Sequence, residues 1–205
     1  MKKVLIATTN PGKLLEISSF LSDLPLELVS LQDVGIADDV EETGKTYEEN
    51  SVKKAVFYAR KSRLPAIADD GGIEIDVLAG APGVRSRRYF GKNGSEASDG
   101  EIIEAMKKLI KKLPHDKLGA KFKTVVTFAL PSGKTFSVTS EVKGVLKDPH
   151  LKLLHGYPYR SFFFLPELNK YYHESELTPE EMKEYNHRYK AVQKLKPIIK
   201  RVLSI

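Results

Sequence analysis

Three short stretches of this 205-residue chain carry side chains whose types and spacing could do chemistry. The first is Thr8-Thr9-Asn10-Pro11-Gly12-Lys13, set between an apolar run and a helical pattern. Free backbone N–H groups at a helix start favour an anion, Gly12 permits close approach, and Lys13 adds a point charge beside the Thr8 and Thr9 hydroxyls. A phosphate would suit such a loop, although the spacing of a Walker loop is absent. The same residues also read as an ordinary strand-to-helix turn. The second stretch is Ala68-Asp69-Asp70-Gly71-Gly72, where adjacent carboxylates close an apolar run. They could hold Mg²⁺ through oxygen, or simply form an Asp-Gly turn. The third, Asp38-Asp39-Val40-Glu41-Glu42-Thr43-Gly44, is an acidic loop that by itself reads as solvated. One anion loop with two acidic loops is the combination a magnesium–nucleotide site requires.

The elements that must position these loops follow from periodicity. Val4 to Ala7 is a short continuous apolar run, the pattern of a buried strand, and Leu14, Ile17 and Leu21 then recur at helical spacing. Leu26 to Ser30 is a second strand candidate. Thr46 and Glu49 have capping-box spacing ahead of Val52, Ala55, Val56 and Ala59, which predict a helix. Ile73, Ile75 and Val77 alternate with acids as in a half-buried strand, and Ala81-Pro82-Gly83 marks a turn. Ile102, Met106, Leu109 and Ile110 predict a third helix. Thr124 to Leu130 and Thr135 to Glu141 flank Pro131-Ser132-Gly133 as a hairpin, and Phe162-Phe163-Phe164 reads as a late buried strand. A final helix is expected from about Pro179, with Tyr185, Tyr189, Val192 and Leu195 inward and a kink at Pro197. No repeat or linker interrupts the chain, so 1–205 is expected as one mixed α/β domain.

Composition narrows the chemistry. Cysteine is absent, which excludes a disulfide scaffold, a thiol nucleophile and a thiolate zinc site, and suits a reducing compartment. The net charge of +6 points to a polyanionic ligand, nucleic acid or an anionic surface. Lys107, Lys108, Lys111 and Lys112, and again Lys194, Lys196, Lys200 and Arg201, fall on helical patterns without interleaved aromatics. They read as solvated helix faces, not as a stacking platform for bases. The opening apolar run is cut off by Thr8-Thr9-Asn10, too early for a signal peptide, and no stretch is long enough to span a membrane. A cytoplasmic location is expected, with neither membrane nor nucleic acid as partner.

At this point the motifs, taken together, resemble a known family. Ala7-Thr8-Thr9-Asn10-Pro11-Gly12-Lys13, Glu41-Glu42-Thr43-Gly44-Lys45-Thr46-Tyr47-Glu48-Glu49-Asn50 and Pro65-Ala66-Ile67-Ala68-Asp69-Asp70 look like the inosine/xanthosine triphosphate pyrophosphatases. Ala81-Pro82-Gly83-Val84, Ser86, Arg88-Tyr89, Leu177-Thr178-Pro179-Glu180-Glu181 and His187-Arg188 continue the likeness in order along nearly the whole chain. The resemblance implies an elongated mixed β-sheet in two lobes, flanked by helices around a central cleft, and a homodimer. It implies Mg²⁺-dependent hydrolysis of nucleoside triphosphates, deaminated purines above all, to monophosphate and pyrophosphate. By position, Glu41 and Asp70 would hold metal, Asp70 would act as base with Asp69 in support, and Thr8, Thr9, Asn10, Lys13, Lys54 and Gly71 would contact the substrate. Tyr157, Tyr159 and Arg160, with Asn186, His187 and Arg188, would form the base end.

That end departs from the family pattern. Gly71 replaces a serine, Pro158 a glycine, Arg160 an aspartate, Met182 a lysine and Asn186 a serine. Proline fixes φ and removes an N–H, so the base loop is expected to be rebuilt. Two readings follow: a working pyrophosphatase with altered base choice, or a nucleotide- or nucleic-acid-binding protein with little or no hydrolysis.

Overall fold

The structure is a computed structural model that describes every residue except Lys117 and His155. Its seven-stranded sheet has the order β2-β1-β3-β4-β5-β6-β7. Strand β1 (Lys2–Ile6) pairs in parallel with β2 (Leu26–Ser30) and with β3 (Ala66–Ile75). Parallel strands covered on both faces need continuous apolar runs, and Val4 to Ala7 are buried accordingly. Strands β4 (Gly119–Ala129) and β5 (Thr135–Leu146) follow, and β6 (Phe163–Leu165) pairs antiparallel with β5 and with β7 (Lys170–Tyr171). The helices are α1 (Pro11–Phe20), α2 (Tyr47–Ser62), α3 (Asp99–Ile110), α4 (Pro179–Tyr185) and α5 (His187–Leu203). The fold is mixed α/β, as expected.

The chain divides into two compact units. The first comprises 1–70, 124–140 and 187–205, and its core joins Val4, Ile6, Ile17, Leu21 and Phe128 to Val192, Leu195 and Ile199 of α5. The second comprises 71–123 and 141–186, built on Ile73, Ile75, Ile102, Met106, Phe122 and Phe163.

Three local readings change. Asp69-Asp70-Gly71-Gly72 is neither a turn nor a strand end: β3 runs through it without a break, and Val77 leaves the strand in a 3-10 turn at Asp76–Leu78. Within the second unit, a Cβ on Gly72 would stand 2.2 Å from Ser86 Oγ and 2.5 Å from the Gly83 carbonyl, so this glycine permits close packing rather than a bend. Helix α2 forms as expected but in another phase. Ala55 and Ala59 are buried with Asn50, Ser51 and Tyr58, while Val52 and Val56 stay half-exposed. Ser51 Oγ lies 3.2 Å from the Ala68 carbonyl and 2.8 Å from the Thr127 hydroxyl, polar contacts that an apolar count cannot register. Finally, the last helix is two helices. Asn186 is extended (φ −71°, ψ 106°) between α4, which opens with a Thr178–Glu181 capping box, and α5, which continues through Pro197 to Leu203.

Candidate active site

The anion loop is held by its own side chains. Asn10 caps α1, its Oδ1 accepting from the Lys13 N–H at 3.1 Å, while Thr8 Oγ1 accepts from the Asn10 N–H at 3.2 Å. Pro11 takes the first helical turn, where a missing N–H costs nothing. Lys13 Nζ reaches Asp69 Oδ2 at 3.2 Å, so its charge is already fixed at the start of the helix. Thr9 is exposed on the same loop.

Asp69 is almost fully buried and meets a second cation, the Arg188 Nε donating to Oδ2 at 3.0 Å. Arg188 is buried too, and its other end pairs with Glu16. Burial works against the charge of Asp69, yet Lys13, Arg188 and Lys54 hold its carboxyl well below the usual range. Its Oδ1 is buried without a hydrogen-bond partner.

Asp70 has the opposite environment. Burial pushes its pKa up to about 6 and the Glu42 charge adds to this, against Lys54, Lys13 and the hydrogen bond from Asn50. Asn50 Nδ2 donates to Asp70 Oδ2 at 3.0 Å. Lys54 pairs with Glu42. Burial would lower the Lys54 pKa, but the charges of Asp70, Glu42 and Asp69 raise it above the ordinary lysine value. Lys53 ties the acidic loop down, donating to the Glu41 carbonyl at 2.6 Å and to Thr43 Oγ1 at 2.9 Å. The Glu41 residue itself is exposed.

The second unit holds its own cluster. Pro158 opens a 3-10 turn over Pro158–Phe162, and the Arg160 guanidinium is stacked 4.1 Å from the Tyr157 ring centroid and 4.8 Å from that of Tyr172. Tyr159 donates to the Ser86 carbonyl at 2.6 Å. Gly156, at φ +79°, donates its N–H to Asp99 Oδ2 at 2.7 Å, and Arg87 donates to Asp99 Oδ1 at 2.6 Å. Met182 packs against the core of this unit.

The model of the Ham1 family matches residues 4–198. The chain belongs to the Ham1 family. This Ham1-family chain is 38% identical over 197 residues to a dITP/XTP pyrophosphatase of Geobacter sulfurreducens, covering 96% of each. It is 35% identical over 211 residues to one of Clostridium perfringens, end to end. Among solved structures, a HAM1 protein from Coxiella burnetii superposes with a TM-score of 0.81 at 29% identity, covering 98% of this chain and all of that one. A nucleoside-triphosphatase / dITP/XTP pyrophosphatase from Mycobacterium abscessus gives 0.70 at 32%, covering 95% and 99%.

Of the residues expected from the sequence, Lys13, Lys54, Asp69, Asp70 and Arg188 come together in the first unit of this Ham1-family chain, with Thr8 and Asn10 shaping the loop that carries Lys13. Tyr157 and Arg160 stack on each other in the second unit. Gly71 lies within β3, Asn186 caps α4, and His187 is buried at the start of α5. Three contributors were missed. Glu16 lies one turn beyond Lys13 (i, i+3), and Asn50 and Lys53 share a helix face with Lys54 (i, i+3, i+4), so spacing from a known member would have found each. In the acidic loop the charge of Glu42 acts on Asp70.

Proposed function

We propose that this protein is a Mg²⁺-dependent nucleoside-triphosphate pyrophosphatase that clears deaminated purine nucleotides, releasing monophosphate and pyrophosphate. The observation that carries the reading is the setting of two adjacent buried carboxylates, Asp69 bound by Lys13 and Arg188 and Asp70 by Asn50, with burial pushing Asp70 up to about 6 while the cations hold Asp69 low. Neighbouring groups driven apart in this way are how a site assigns base and support at neutral pH.

The residues fit a hard cation. The donors offered by Asp70 and by the Glu41–Glu42 loop are all carboxylate oxygens. Among the described residues no group of three or more His, Cys, Asp or Glu could hold a metal ion. Mg²⁺ commonly takes one or two carboxylates and completes its shell with water and substrate phosphate. Asp70 and the Glu41–Glu42 loop would hold it, and the chemistry it supplies when bound is neutralisation of the triphosphate and polarisation of a water. The chain's own residues do the rest. Lys13 receives phosphate oxygens at the start of α1, Lys54 offsets charge on the leaving pyrophosphate, and Asp70 takes the proton of the attacking water. Arg188 and Lys13 keep Asp69 ionised beside it.

The test is pyrophosphate release across ITP, XTP, GTP and ATP with Mg²⁺. Asp70→Asn is expected to stay folded and lose at least ~10²-fold in kcat. Equal turnover by variant and parent would remove Asp70 from the role. With Arg160 stacked on Tyr157 and near Tyr172, and Met182 packed against the core, no acid at these positions accepts from the N1–H of a 6-oxopurine. Preference for ITP over GTP and ATP is therefore expected to stay below ~10³-fold in kcat/KM, about 4 kcal/mol. The other partners of the proposal are a second copy of the chain, checked by light scattering, and neither membrane nor nucleic acid, in a cytoplasmic setting. Among the described residues no helix is long and apolar enough to cross a membrane.

A further inference from the structure

We propose that Asn50 is a positioning residue that locks the Asp70 carboxylate and the acidic loop into one arrangement; this rests on the reading of Asp70 as the catalytic base. Asn50 is fully buried in the first turn of α2. Its amide works in two directions. Nδ2 donates to Asp70 Oδ2 at 3.0 Å, and Oδ1 accepts from the Gly44 N–H at 2.7 Å. The orientation is fixed by chemistry: a flipped amide would set its NH₂ against an N–H and its oxygen against a carboxylate.

The loop comes unusually close to do this. A Cβ on Gly44 would stand 2.5 Å from Asn50 Oδ1 and 2.8 Å from the Glu49 Cβ, so only glycine lets its N–H reach the amide. Other grips on the loop also come from α2, from Lys53 to the Glu41 carbonyl and Thr43, and from Lys54 to Glu42. Asparagine is a poor helix former and costly to bury, so a position chosen for stability alone would carry alanine. What asparagine supplies is one donor and one acceptor on a short planar group. The donor fixes rotation of the Asp70 carboxyl, which decides where its lone pairs point, and the acceptor carries the acidic loop to the same place.

Asn50→Asp separates the two roles, because it keeps an acceptor for Gly44 and removes the donor to Asp70. Because it also sets a second carboxylate against Asp70, its thermal midpoint should fall, while kcat per folded molecule drops by ~10-fold or more with KM changed less than ~3-fold. In nucleotide-free protein, Mn²⁺ binding followed by electron paramagnetic resonance should weaken by about 10-fold in Asn50→Ala, which loses both bonds. Asn50→Ala carries the same kcat expectation should Asn50→Asp fail to fold. Parental kcat per folded molecule in the variants, or unchanged Mn²⁺ affinity in folded Asn50→Ala, overturns the proposal. Asp70→Asn run alongside separates the two failures. If it is inactive while the Asn50 variants are parental, only the positioning role falls; if it is active, the base assignment beneath it falls as well.

Discussion

Asp69 and Asp70 are neighbours in sequence and both feel Lys13 and Lys54, yet their direct partners differ. Successive side chains of a strand point to opposite faces, so one carboxylate meets Lys13 and Arg188 while the other meets Asn50, Lys54 and the Glu42 charge. Two like charges on adjacent residues would otherwise titrate much alike. The separation depends on Lys13 and on Arg188, which is buried between Asp69 and Glu16. Removing one partner of a buried ion pair leaves the other unsolvated, at a cost of roughly 3 kcal/mol or more. Arg188→Met is therefore expected to lower the urea midpoint sharply, and Asp69→Asn in the same chain should restore part of the loss. A double-mutant cycle by urea denaturation measures this, and strictly additive losses would show that the pair does not couple.

Among the elements, the strand that carries both acids was the hardest to read. The Asp-Asp-Gly-Gly run has the composition of a turn, and only packing against Ser86 and Gly83 explains why β3 passes straight through it. The break between α4 and α5 was equally hidden, since apolar spacing continues across Asn186. The segment that follows β7 offers a pH test. His173 is buried, and its ring centroid lies 4.2 Å from that of His150, whose Nε2 sits 3.1 Å from Glu176. Burial, with the His150 charge, lowers the His173 pKa, against the Lys152 carbonyl, Glu174 and Glu176. The unfolded chain then takes up a proton near pH 6.5 that the folded chain refuses, so stability is full above that pH and lost as pH falls below it. His173→Gln should flatten the fall in urea midpoint between about pH 7 and 5. An unchanged slope would assign the acid sensitivity to other groups.

For the molecule as a whole, the charge of +6 is the broadest signal and the least specific. Part of it is committed internally, with Lys13, Lys54 and Arg188 facing carboxylates in the first unit and Arg87 facing Asp99 in the second. Further cations are exposed on helices, such as Lys108 on α3 and Lys200 on α5. Fluorescence polarisation with a short DNA duplex and with single-stranded RNA at ~150 mM salt is expected to show no tight binding. Steeply salt-dependent binding below micromolar concentrations would revive the nucleic-acid reading.

The sequence by itself determined the mixed α/β class, most helices, the two opening strands and the order of the segments that carry Lys13, Glu41 and Asp70. These are local matters of apolar period, capping residues and turn chemistry, and they leave marks within a few residues. The phase of α2, the continuity of β3 and the partners of Asp69 were decided by the tertiary structure alone. Each depends on a polar group buried against another far along the chain, as Arg188 is against Asp69 and Asn50 against Asp70. Hydrophobic periodicity reports which face avoids water, but it is silent about which buried dipoles and charges must meet to make that burial tolerable.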